Sequence, residues 1–163
     1  NTVFKTARAP LAVNLVIHST GLPTPEDAME TVSFTEMKHG TQQDYVLLER
    51  YEQEHAVSVA DRLLSALSQL RYGLAGYQID RLTHSLQSAA RAEADGADDE
   101  WVVAALLHDI GDDLAPMNHS DFAAAILKPY VREEVHWVVA HHGVFQMLYY
   151  ADHLGKNPNA RER

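Results

Sequence analysis

The chain has 163 residues, enough for one domain with a buried core, and its 46% hydrophobic and 22% charged residues are those of a globular protein. Thirteen Lys and Arg against 23 Asp and Glu leave a formal charge of −10, which argues against a nucleic-acid or anionic-membrane partner. No apolar run approaches the roughly 20 residues of a membrane span, and the absence of cysteine excludes disulfides, thiolate metal sites and cysteine nucleophiles, as expected in the reducing cytoplasm.

Residues 1–28 stand apart from the rest. They carry Lys5, Arg8 and several Ser and Thr with no carboxylate before Glu26. That is the bias of an organelle-targeting leader, or of an upstream segment ahead of a start at Met29. Residues 29–163 read as one helical domain. Thr41 and Asp44 form a capping box that opens a helix just after Gly40. Ala60, Leu63, Leu64, Leu67 and Leu70 recur at helical spacing and predict an inward stripe, broken at Tyr72-Gly73 and Gly76. Ile79, Leu82, Leu86, Ala89 and Ala90 define the next stripe, closed at Gly96. Asp98 then caps the segment Trp101 to Leu107, which is apolar all round and so expected at the centre. Gly111 stops it, and Pro116 lies in the loop beyond. Short helices follow at about 119–128, 130–142 and 144–154, punctuated by Pro129 and Gly155. No strand alternation or internal repeat appears. The predicted fold class is an all-α bundle.

Ten histidines is a high count for this length. His108 and Asp109 end the central apolar helix, where a buried carboxylate costs several kcal/mol unless it meets a partner or a metal ion. His84 lies on the polar side of its helix with Asp80, Gln87 and Ser88. His119 shares a face with Phe122, Ala123 and Ile126, and His142 continues the stripe Val131, Val135, Val138. His141, about 100° further round, falls over Glu134 and Trp137 instead. A single histidine on an apolar face is more often a satisfied core side chain than a ligand. Two of them, with a His-Asp pair in a cysteine-free chain, shift the balance toward metal. His18, His39, His55, His136 and His153 have no such setting and read as surface.

The segments Leu82-Thr83-His84-Ser85-Leu86-Gln87 and Leu106-Leu107-His108-Asp109-Ile110-Gly111 resemble the HD-domain superfamily of metal-dependent phosphohydrolases. The His-Ser-Leu-Gln run and the Gly-Ala-Asp-Asp lead-in are similar to a narrower branch, the mixed-valence di-iron oxygenases that cleave hydroxylated phosphonates, with myo-inositol oxygenase a more distant relative. The resemblance covers about residues 77–145. It implies an HD-type helical bundle holding two metal ions, with His84, His108, Asp109, His119 and His142 as ligands and Asp109 bridging the pair. The family pattern closes with a further Asp downstream. Here Asp152 is the only nearby acid before Arg163, so that last ligand is expected to be missing. The oxygenases place a basic, substrate-gripping residue one turn after the His-Asp pair, where this chain has Asp112 and then Asp113. They also close the site with a Tyr-and-Glu lid, and Tyr77 stands at the Glu position. These departures turn the expectation from a phosphonate toward a neutral or amine-bearing small molecule, with Asp112, Tyr77 and His141 as the candidate catalytic side chains.

Four histidines and a carboxylate suit iron or manganese, with zinc open. Such a pair serves either C–H oxidation with O₂ or phosphate-ester hydrolysis. The acidic balance favours the oxygenase. A phosphohydrolase would need a base to hold phosphate, for which Arg81 and Arg91 share the His84 side of the helix and Lys128 and Arg132 lie farther along the chain. A third reading is a degenerate HD domain acting as a scaffold, for which Tyr45, Tyr51, Tyr130, Trp137, Tyr149 and Tyr150 would supply an aromatic patch, although most of them are expected in the core. Oligomeric state is not legible from the sequence.

Overall fold

Local caps start three of the helices. Asp44 and Thr41 bond reciprocally at the head of α1 (Gln42–Val57), with Thr41 Oγ1 2.7 Å from the carboxylate and Asp44 N 3.3 Å from the hydroxyl. After α2 (Val59–Gln69), α3 (Arg81–Ala94) begins at Asp80, whose side chain accepts from Thr83 N at 2.7 Å. The next, α4 (Asp99–Leu107), begins at Asp98, which accepts from Trp101 N at 3.2 Å. α5 (His119–Leu127) and α6 (Glu133–Tyr150) follow, with short 3₁₀ turns elsewhere. This computed structural model describes residues 30–162. The leader expected at residues 1–28, the start at Met29 and His18 lie outside the described residues. Within them there are six α-helices and no strand, so the chain is all-α as read from the sequence. No helix among them is long and apolar enough to cross a membrane.

The chain divides into two compact units, one up to Tyr51 and one from Glu52 on. The first is knotted around Asp44, which also accepts from Ser33 N at 2.7 Å and Ser33 Oγ at 3.0 Å. The second carries the apolar core of Leu67, Leu70, Ala104, Leu107, Ile110, Ala123, Ala124, Leu127, Val135 and Val139. Within it α3 packs on α4 and α5 on α6, giving two helical hairpins.

Four expectations are corrected. Residues 130–142 and 144–154 are not two helices, because α6 runs unbroken through Gly143. A Cβ at Gly143 would lie 3.2 Å from Ser120 Oγ, so the glycine permits close contact with α5 rather than ending a helix. The α2 and α3 stripes are each rotated from the predicted ones. Leu64 is 57% exposed and Leu86 52%, whereas Ser85 is fully buried, because the small residues of α3 let α4 approach that face. The central α4 is also less enclosed than an all-apolar segment implied, with Val103 at its surface. Tyr45, Tyr130, Trp137, Tyr149 and Tyr150 are exposed, not core.

Candidate metal centre

The α4 helix ends at Leu107, and the chain turns through His108, Asp109 and Ile110. Gly111 follows because the turn runs hard against the start of α5, where a Cβ would meet His119 O at 2.9 Å. This close approach seats Asp109, 2% exposed, between the two hairpins. Each carboxylate oxygen faces its own pair of imidazoles. Oδ2 lies 3.1 Å from His108 Nε2 and 3.4 Å from His84 Nε2. Oδ1 lies 3.3 Å from His142 Nε2 and 3.6 Å from His119 Nε2. The first pair comes from α3 and the end of α4, the second from α5 and α6. Two three-residue donor groups result, His84–His108–Asp109 and Asp109–His119–His142.

The hydrogen bonds behind the rings set which nitrogen points inward. His108 Nδ1 donates to Ala105 O at 2.9 Å and His142 Nδ1 to Val139 O at 2.7 Å, since a carbonyl can only accept. In the neutral ring each Nε2 is then an unprotonated lone pair aimed at the cluster. His84 and His108 meet Nε2 to Nε2 at 3.2 Å, and so do His119 and His142. Two nitrogens about 2.1 Å from one ion and 3.2 Å apart subtend roughly 100° at it, as adjacent ligands do. The donor set therefore fits one metal ion on each side of Asp109.

Charge around the cluster follows from burial and contact. Burial pushes the Asp109 carboxyl up, but the His108 and His142 rings beside it and the charge of Arg81 hold it well below the usual carboxylate range. Burial alone would lower His108, and its bond to Asp109 more than offsets that, raising it. His84 is lowered, first by desolvation and then by the neighbouring His108.

Arg81 is the largest departure from the sequence reading. Its Nε lies 2.6 Å from Asp112 Oδ2 and its Nη1 3.4 Å from Asp109 Oδ2. Asp112 is buried and braces Arg81, with Oδ1 also 3.6 Å from His119 Nδ1. Asp113 beside it is exposed. A cation from α3 thus faces the His-Asp pair. The signal was present: Arg81 sits three residues before His84, on the same helical face. Tyr77 covers the guanidinium, 4.8 Å from ring centroid to Arg81 Cζ. Tyr77, Gln78, Arg81, His84 and Gln146 line a cleft of about 390 Å³ beside the cluster.

The remaining candidates fall outside. His141 is exposed, stacked on Trp137 at 4.4 Å with Nδ1 donating to Trp137 O at 2.7 Å, and it belongs to neither donor group. Asp152 is exposed and belongs to neither group. His39, His55 and His153 are on the surface as read, but His136 is half-buried, and its Nδ1 is shielded without a partner. With this geometry in hand, a family profile described as HD domain matches residues 81–162, half of the chain, from Arg81 through the last 3₁₀ turn. No curated protein matches the chain.

Proposed function

The chain belongs to the HD-domain family, and on that premise we propose that it is a dinuclear-metal oxygenase that oxidises a C–H bond of a small polar substrate with O₂. The observation that carries the reading is the division of Asp109, each oxygen serving its own pair of histidines. His84, His108 and Asp109 would hold one ion, and Asp109, His119 and His142 the other, with iron preferred for a sulfur-free nitrogen and oxygen donor set. When bound, an iron pair supplies the one-electron chemistry with O₂ that a C–H bond requires.

The protein's own groups have four tasks in this reading. Asp109 bridges and fixes the separation of the two halves. Ala105 and Val139 carbonyls lock the tautomers of His108 and His142. Asp112 is a positioning residue that holds Arg81 and faces His119. Tyr77 and Arg81 stand at the cleft beside His84, on the substrate side. His141, stacked away on Trp137, takes no direct part.

One observation favours a second reading. Arg81, Gln78 and Gln146 around His84 give that cleft the donors that grip a phosphate, as a phosphohydrolase needs. Elemental analysis, with electron paramagnetic resonance after partial reduction, separates the two. About two irons per chain and a mixed-valence signal support the oxygenase. Zinc or manganese with phosphatase turnover supports the hydrolase, and a protein that retains no metal leaves the scaffold.

A further inference from the structure

A second cavity of about 420 Å³, lined by residues of α3, α4 and α6, reaches the same cluster at His108 and His142. Its chemistry differs from that of the Arg81 cleft. Ala92, Ala105, Val138, Val139 and the Trp101 ring form its walls. His108 and His142 lie at one end. Trp101 and His108 are seven residues apart along α4 and its last turn, so the cavity extends about 10 Å from the cluster. At its far end stands Asp95, where α3 turns toward α4, in a connection that also carries Asp98, with Glu93 at the end of α3 and Asp99 and Glu100 at the start of α4. No lysine or arginine lines the cavity. Arg132, whose guanidinium covers the Trp101 ring at 5.5 Å, is already paired with Asp98 at 2.9 Å and Glu100 at 3.4 Å.

A largely apolar cavity with a carboxylate at one end selects for an aliphatic chain that ends in a cation. Apart from Ser88, the Trp101 indole N–H and the histidines at the cluster end, the lining side chains are apolar, so a charged group is best placed at the Asp95 end. An anion there would meet the Asp95 carboxylate and its acidic neighbours, and a cation is drawn in. We propose that this cavity binds an alkylammonium group, with the aliphatic chain between Trp101 and Ala105 and the ammonium at Asp95, and that it is the substrate-tail site of the metal centre. Calling it a substrate site rests on the function proposed above, whereas the binding itself does not.

Binding is read from Trp101 emission in Trp137→Phe protein, purified with its metal and assayed for metal content in the same samples. The probes are butylammonium, 1-butanol and 1-butanesulfonate, the last being a poor metal ligand. Butylammonium should saturate the signal and bind about threefold tighter than butanol, the scale of one exposed ion pair, with the sulfonate weaker still. Asp95→Asn, at an exposed position, should bring butylammonium to the level of butanol. Ala92→Leu, which fills the cavity, should weaken both by roughly tenfold while helicity by circular dichroism is retained. Sulfonate or butanol binding as tightly as butylammonium, or no saturable binding by any probe, overturns the proposal. If metal is present and no probe binds, only the cavity assignment falls. If butylammonium binds to protein that retains no metal, the cavity stands and the metal reading falls.

Discussion

Asp44 and Asp109 are both buried carboxylates at helix ends, and the chain satisfies them in opposite ways. Asp44, at the head of α1, accepts from Ser33 N, Ser33 Oγ, Thr41 N and Thr41 Oγ1 at 2.7–3.0 Å. Each carboxylate oxygen has a fixed donor within eleven residues, and the helix N-terminus favours the negative charge. Asp109 lies past the C-terminus of α4, where the dipole opposes it, and its neighbours are four imidazole nitrogens and Arg81. The first carboxylate completes a fold element. The second is tolerated only because groups from α3, α5 and α6 converge on it, so its neighbours form a binding site rather than a cap.

Breaking Asp109 should have the largest effect. Asp109→Ala removes the one residue common to both donor groups, so metal content should fall from about two ions per chain to none. Activity should fall by more than about 100-fold, beyond the usual loss for an outer-shell change. Asp109→Asn keeps the shape and should also fail to hold the pair. Full metal occupancy in Asp109→Ala would refute the bridge.

Arg81→Gln tests the brace. It leaves Asp112 buried without its ion pair, which costs about 3 kcal/mol and roughly 6–12 °C in Tm. Arg81→Lys should recover only part of this, because an ammonium cannot span both Asp109 and Asp112 as a guanidinium does. Differential scanning calorimetry reads both variants, and an unchanged Tm in Arg81→Gln would mean that the pair is solvated.

Single ligands should separate the two halves. His84→Ala and His142→Ala should each retain about one ion per chain, whereas His141→Ala should keep both and change activity less than about twofold. Metal loss in His141→Ala with retention in His142→Ala would reverse the assignment.

Asp44 sharpens the comparison from the other side, with the smallest effect. Its carboxyl is held well below its ordinary value of 3.8, first by the Ser33 backbone N–H and then by the Thr41 hydroxyl and N–H. A lowered folded value means that its stabilisation is complete above about pH 4 and is lost as the pH falls further. Hydrogen exchange of the first turn of α1 should therefore speed up between pH 4 and pH 2 relative to the rest of the helix. In Asp44→Asn the turn should already exchange fast at pH 6, without that pH dependence. Equal protection in the variant would show that the cap is dispensable.

Local chemistry made much of this legible in the sequence. The caps at Thr41, Asp44 and Asp98 act through neighbours three residues away, so the starts of α1 and α4 follow from residue types alone. Helical periodicity brought His119 and His142 inward and put His141 outside, because faces 100° apart cannot share one centre. The His-Asp pair marked the place where a buried charge needed partners. Tertiary structure decided the rest. Whether Gly143 breaks a helix or lets one pass close to Ser120 depends on a neighbour that lies outside the local pattern. Ser85 is buried and Leu86 exposed because the α3–α4 contact selects small side chains over the most apolar ones. Asp112 and Arg81 lie thirty-one positions apart, and the ion pair between them exists only where α3 meets the turn after α4. Spacing within a helix encodes which face a residue takes. What waits on that face is set by the packing of the helices.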